Sequence, residues 1–180
     1  MFGRFRQSSA RAIASVLYGA IVAQARSPAL YADLEVPDTV EGRFEMVVLH
    51  TALVLRRLQA GNRSAEEAGQ EVFDLFCADM DRSLREMGVG DLVVGKRMKK
   101  MAAAFYGRSA AYNDALAASA PALSEALARN IFTDGRTAAP QLAAYATAVA
   151  GRLAGVADEA ILAGSLAFPA AADFVTAGVS

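Results

Sequence analysis

Three groups of side chains in this sequence have the types and spacing to do chemistry. They are Asp79 and Asp81, the single histidine His50, and the run Lys96, Arg97, Lys99 and Lys100. Two close carboxylates suggest a cation. An EF-hand loop begun at Asp79 needs glycine at its sixth position and a carboxylate at its twelfth, where this chain has Leu84 and Gly90. On a helix, residues two apart point about 200° away from each other, so these carboxylates do not converge on one ion. No second aspartate-rich motif exists to face the first across a bundle. Neither a metal nor a cofactor is expected.

His50 could be a ligand or a general base. It lies between Arg43 and Arg57 on the same predicted helix, whose charges oppose its protonation, and no acid stands at a spacing that would orient it. It reads as a partly buried, hydrogen-bonded structural residue. One histidine and one cysteine, Cys77, exclude a Ser-His-Asp triad, a cysteine-based zinc site and an internal disulfide. No catalytic residues are expected, and an enzyme is the least favoured class.

The cationic run holds all three lysines of the chain. Specific nucleic-acid binding would want a wider basic surface with aromatic side chains interleaved, and it is not expected. The charge is instead arranged in blocks. Residues 64–91 carry eight carboxylates against Arg82 and Arg85, net −6, whereas residues 92–113 carry five cations and no acid. Between them, Met87-Gly88-Val89-Gly90-Asp91 offers a glycine for a helix C-terminus and an aspartate to cap the next helix. The pattern predicts an acidic helix, a tight turn and a basic helix folded back on it. In that hairpin the acidic helix could neutralise the lysines. Met80, Met87, Met98 and Met101 lie in the same stretch with Phe105 and Tyr106. They are either a methionine-adapted helix–helix core or an adaptable apolar surface for hydrophobic peptides, rimmed by charges of both signs.

The elements that position these groups are helical throughout. A first helix is expected over about 11–26 after a basic tail, and a loop over 29–38. A long helix over 39–60 has Phe44, Val47, Thr51, Val54, Leu55 and Leu58 on one stripe and Met46, Leu49 and Leu53 on a second patch. A helix apolar over most of its circumference is a central one, leaving Glu41, Glu45, Arg56 and Gln59 on its wet side. Ser64 with Glu67 fits a capping box for a helix running to Met87. The basic helix carries Val94, Met98, Met101 and Phe105 inward and is expected to end at Gly107, with a short helix over 109–118 after it. Further helices are expected over 121–131, 140–153 and 158–166, with a turn at Thr133-Asp134-Gly135-Arg136. No run alternates as a strand would. The expectation is a single all-α domain over 1–180, a bundle of about seven helices without significant β-sheet. Its parts are a basic N-terminal helix within 1–28 and an Ala-rich C-terminal region over 120–180.

At 180 residues, 54% apolar, the chain can build a real core, and its net charge of −1 sets up no overall field. No apolar run reaches the ~18–20 residues of a spanning helix. Residues 12–25, preceded by Arg4, Arg6 and Arg11, imitate the charged and apolar parts of a targeting segment, yet read equally well as a retained first helix, which is the expectation. Fifteen Arg against three Lys, with abundant Ala, point to a GC-rich bacterial genome.

Several linked runs resemble a known family. They are Arg43…Glu45…His50…Arg57-Leu58, Phe76…Asp79-Met80-Asp81, Leu84-Arg85-Glu86-Met87-Gly88-Val89-Gly90-Asp91, Val94…Lys96…Met98-Lys99 and Phe105-Tyr106-Gly107-Arg108…Tyr112. Together they resemble the ubiquinol–cytochrome c chaperone family, densely over 37–116. The resemblance implies a non-enzymatic helical chaperone that binds newly made cytochrome b and assists assembly of the cytochrome bc1 complex, without binding haem itself. It places the chain in the cytoplasm of a bacterium, peripheral to the inner face of its membrane, or on the matrix side in a mitochondrion. The mitochondrial family works beside the ribosomal exit with a small partner. Contact with a ribosome and with such a partner is left open here, because no long extra N-terminal region precedes the likeness. The client-binding surface is expected to include Asp79, Asp81, Arg85, Asp91, Lys96, Lys99, Phe105, Tyr106, Arg108 and Tyr112, with a core-only role for the aromatics as the competing account. The alternative function is a peripheral membrane or ribosome-associated adaptor, its basic N-terminal helix lying on anionic lipid.

Overall fold

Six helices of eleven residues or more build the chain in a computed structural model that describes residues 2–132 and 138–175. They are α1 (Phe2–Ala25), α3 (Val40–Gln59), α4 (Arg63–Glu86), α5 (Asp91–Ala118), α6 (Ala120–Asn130) and α7 (Ala139–Ala154). Two five-residue helices, α2 (Pro28–Ala32) and α8 (Asp158–Leu162), and a 3-10 turn, η1 (Ala171–Phe174), join and close them. No strand occurs among the described residues. The turn expected at residues 133–136 lies outside the described residues.

Helix α3 is the axis of the bundle. Every residue over 45–55 is buried, because α1, α4, α5 and α7 all pack against it. The two apolar patches read from the sequence are therefore both consumed. Glu45 is the exception to the expected wet side: it is only 6% exposed, since Arg108 from α5 reaches over it. Thr39 caps α3 by accepting from Gly42 N at 3.1 Å. A Cβ at Gly42 would stand 1.9 Å from the Pro37 carbonyl oxygen, so only glycine lets the preceding loop cross the helix start so closely.

Helix α1 buries Ala14, Leu17, Ile21 and Ala25 completely, a 3–4 stripe laid on α3 and α4. Burial of Leu17 and Ile21 is worth about 1.5–3 kcal/mol each, so the first helix is an integral part of the core.

Several helix bounds differ from the expectation. Helix α1 already begins at Phe2, in the expected basic tail, α2 falls largely within the expected 29–38 loop, and α8 ends at Leu162 rather than at 166. Asn62, rather than Ser64, caps α4, accepting from Ser64 N at 2.9 Å and Ala65 N at 3.1 Å. Gly88 takes the left-handed conformation after α4, with φ +80°, as the sequence predicts. The cap of α5 is Gly90, however, and Asp91 is already in its first turn, where its charge still suits the positive end of the helix. Helix α5 also runs straight through Gly107 without a break. A mid-helix glycine costs only ~1 kcal/mol, less than the packing of buried Phe105 and Tyr112 on either side of it.

The Ala-rich C-terminal third closes the bundle over α3. Arg57 donates to Leu153 O at 3.1 Å, Val156 O at 2.5 Å and Asp158 Oδ1 at 2.7 Å. It thereby ties α3 to the backbone at the end of α7 and to α8. Asp158 Oδ2 in turn accepts from Asn62 N at 2.7 Å, so one carboxylate ties α8 to the α3–α4 turn.

Candidate functional site

Helices α1, α3, α4 and α5 leave a groove of about 430 Å³ between them. Val22, Phe44, Val47, Met80, Leu84 and Met101 give it an apolar lining, and Arg26, Glu41, Arg43 and Asp79 add charges of both signs. Val40 and Met87, which also line it, are 67% and 60% exposed. Three of the four hairpin methionines are thus in the groove, while Met98 is half-buried against the core. Thioether side chains adapt to irregular apolar shapes. Such a surface suits an apolar segment flanked by charges.

The walls are held by polar contacts between helices. Tyr18 of α1 donates its hydroxyl to Asp79 Oδ2 at 2.9 Å, and Arg82 pairs with the other oxygen. Burial, with the Asp79 charge behind it, raises the Tyr18 pKa far above the ordinary phenol value, so this hydroxyl remains a donor. Asp81 accepts from Arg85 at 2.7 Å, and Arg85 also pairs with Asp91, bracing the two helices across the Gly88 turn. Beside the groove, Arg43 pairs with Asp38 at 2.6 Å and lies over the Tyr31 ring.

The other expected surface residues separate by burial into exposed, half-buried and buried ones. Lys96 and Lys99 are exposed, and the acidic helix does not neutralise them. Among the described residues its ion pairs run to Arg11, Arg63, Arg82 and Arg85. Tyr106 is 60% exposed and lines a second concavity of about 300 Å³ with Phe73 and Phe105. Phe105 and Tyr112, at 2% and 0% exposure, belong to the core. Both pack in the core, and Phe105 also lines the second concavity. Arg108 is half-buried, its guanidinium forked onto Glu45 at 2.8 and 2.7 Å. Ring contacts Phe44–Phe76 (6.5 Å), Phe76–Phe105 (5.0 Å) and Phe73–Tyr106 (5.3 Å) link the groove to the second concavity.

His50 is fully buried rather than partly so. Its Nδ1 lies 2.7 Å from Met46 O. A carbonyl only accepts, so Nδ1 carries the proton and Nε2 accepts from Tyr145 Oη at 2.7 Å. Gln24 Nε2 donates to the same hydroxyl at 2.8 Å. The chain Gln24–Tyr145–His50 joins α1, α7 and α3. Burial lowers the His50 pKa to about 4 and raises that of Tyr145 to about 12, so both stay neutral and locked as donor and acceptor.

Sequence reasoning missed Tyr18, Gln24, Val40 and Phe44 as parts of these arrangements. Tyr18 and Gln24 each neighbour a buried position of the α1 stripe, but their partners lie 61 and 121 residues away, beyond any spacing rule. Among the described residues, no three His, Cys, Asp or Glu side chains gather as a metal site would need. No helix among them is long and apolar enough to cross a membrane.

The comparisons with known proteins agree with this architecture. None of the curated proteins matches the chain. The crystal structure of the Cbp3 homolog from Brucella abortus superimposes with a TM-score of 0.86 at 42% sequence identity, covering 97% of this chain and 98% of that one. The family described as Ubiquinol-cytochrome C chaperone matches residues 32–168, which hold the groove's α3, α4 and α5 walls and the Tyr145–His50 contact. The chain therefore belongs to the ubiquinol–cytochrome c chaperone family.

Proposed function

We propose that the chain is a non-catalytic assembly chaperone of the ubiquinol–cytochrome c reductase and that it holds newly made cytochrome b in the groove between α1, α3, α4 and α5. The observation that carries this reading is the methionine-lined apolar groove bordered by charges of both signs. A spanning segment of cytochrome b has ~20 apolar residues with polar flanks, and such a segment needs cover before it is equipped and inserted. A groove of this size takes a few side chains of the segment at a time, which makes the hold reversible, as a chaperone that must release its client requires.

In this reading Asp79 fixes the wall and offers a polar contact to a client flank. Asp81, Arg85 and Asp91 keep the turn beside the groove in place. Arg108, Phe105 and Tyr112 seat α5, and Tyr106 extends the apolar surface into the second concavity. The pair Val40→Glu and Met87→Glu tests the reading in cells that make the complex. Both positions are exposed, an acid at Val40 suits the first turn of α3, and an acid at Met87, the C-cap of α4, costs at most about 1 kcal/mol, so the fold is kept. The amount of assembled complex should fall at constant chaperone level. Unchanged assembly in the double variant would refute the groove as the client site.

A further inference from the structure

The first turns of α5 carry an outward face that neither the bundle nor the groove uses. Leu92 is 100% exposed and Val93 45%. At 100° per residue, Leu92, Val93, Lys96, Arg97, Lys99 and Lys100 fall on one arc of roughly 160°, and all six are exposed. Val94, Met98 and Met101 point the other way, into the protein. The arc is ordered along the helix axis, apolar at the tip and cationic behind it. With a rise of 1.5 Å per residue, the cations begin about 6 Å behind Leu92 and end about 12 Å behind it.

From this arrangement we infer that the tip of the α4–α5 hairpin docks the protein on an anionic lipid bilayer. Leu92 and Val93 enter the interface, and Lys96, Arg97, Lys99 and Lys100 meet the phosphates. An interfacial apolar face sinks about 5–10 Å into the headgroup–acyl boundary, which brings the four cations level with the headgroups. The opposing carboxylates near the tip are Asp81, Glu86 and Asp91. Arg85 engages the first and the last of them, so the four cations of α5 remain in excess. An RNA surface would place aromatic side chains among the cations and would have no use for a fully exposed leucine at the tip. The first helix offers no such face in its described part, since its apolar stripe is buried in the core. This surface goes beyond the client reading and does not depend on it.

The chain contains no tryptophan, so Leu92→Trp gives the full-length protein a lone indole at the tip, at a position where nothing has to repack. The test mixes it with vesicles of phosphatidylcholine and phosphatidylglycerol, or of phosphatidylcholine alone, at low salt and without client. The expected result is co-sedimentation and a blue-shifted indole with the anionic vesicles only, both reversed by salt. In the wild-type background, Lys96→Glu with Lys99→Glu should lower partitioning at least about tenfold at unchanged circular dichroism. Leu92→Ser with Val93→Ser should also weaken it. Binding to both vesicle types alike, binding that survives the charge reversal, no binding at low salt, or capture of RNA with an unshifted indole would each overturn the assignment.

Discussion

Lowering the pH should destabilise this protein well above the range in which carboxylates titrate, and His50 is the cause. Its folded pKa is lowered from 6.5 to about 4 by burial. The unfolded chain therefore binds a proton in that window while the folded chain does not. Stability is full above about pH 6.5 and falls as the pH drops toward the folded value. At ~1.4 kcal/mol per pKa unit the whole displacement is worth about 3 kcal/mol, of which about 2 kcal/mol is lost between pH 7.5 and 5. For a domain of this size that is a Tm decrease of about 4–8 °C. His50 is the chain's single histidine. Burial raises the Glu45 pKa, so its contribution grows as the pH falls and cannot produce the loss. Asp38 and Asp158, whose pKa values are lowered by hydrogen bonds from Arg43 and Arg57, lose their contribution only below the ordinary carboxylate range. Urea unfolding followed by circular dichroism at the two pH values measures the effect. His50→Gln should be less stable at pH 7.5 and nearly independent of pH between these values. Equal stability of the wild type at both pH values, or the same pH slope in His50→Gln, would refute the buried neutral histidine.

Removing Arg108 strands Glu45, and Arg108→Ala should cost about 2–3 kcal/mol in unfolding free energy. That is below the ~3–5 kcal/mol of a fully buried pair, because the Arg108 side chain keeps 25% exposure. Glu45→Leu combined with Arg108→Leu should recover most of it. Gly107→Ala should stabilise α5 by about 0.5–1 kcal/mol, since nothing stands within 4 Å of the new Cβ. Gly42→Ala should cost about 2–3 kcal/mol by driving a methyl into the Pro37 carbonyl; thermal melts read both. Lys96→Glu with Lys99→Glu should leave the melting temperature within about 2 °C, because these lysines hold no ion pair among the described residues; a collapsed fold would make them structural partners of α4.

Periodicity carried most of the architecture. The two apolar patches of α3 showed a helix with neighbours on nearly every side, and the Gly88 turn between blocks of opposite charge showed the α4–α5 hairpin. Most of what failed were choices that depend on a partner from elsewhere in the chain. Glu45 looked wet until Arg108 covered it, and Gly107 looked like a stop until the packing of Phe105 and Tyr112 outweighed its propensity. Ser64 lost the α4 cap to Asn62, two residues earlier, whose side chain reaches two backbone donors. Among the candidate site residues, adjacent Phe105 and Tyr106 went to opposite environments, because a step of about 100° separates the core side of α5 from its solvent side. The sequence left the hairpin methionines open between core and surface, and three of the four line the groove. The α1 and α3 contributions, Val22, Val40 and Phe44, did not show, because only tertiary packing brings them to Met80 and Met101.

The most direct measurement is photo-crosslinking from a probe at Val40, on the groove and away from the α5 tip, in cells making the reductase. Parallel probes at Tyr106 and at the exposed Arg129 of α6 report the second concavity and the background. The account predicts cytochrome b adducts from Val40, fewer from Tyr106 and none from Arg129. Adducts from Tyr106 with none from Val40, or no cytochrome b at any of the three positions, would contradict it.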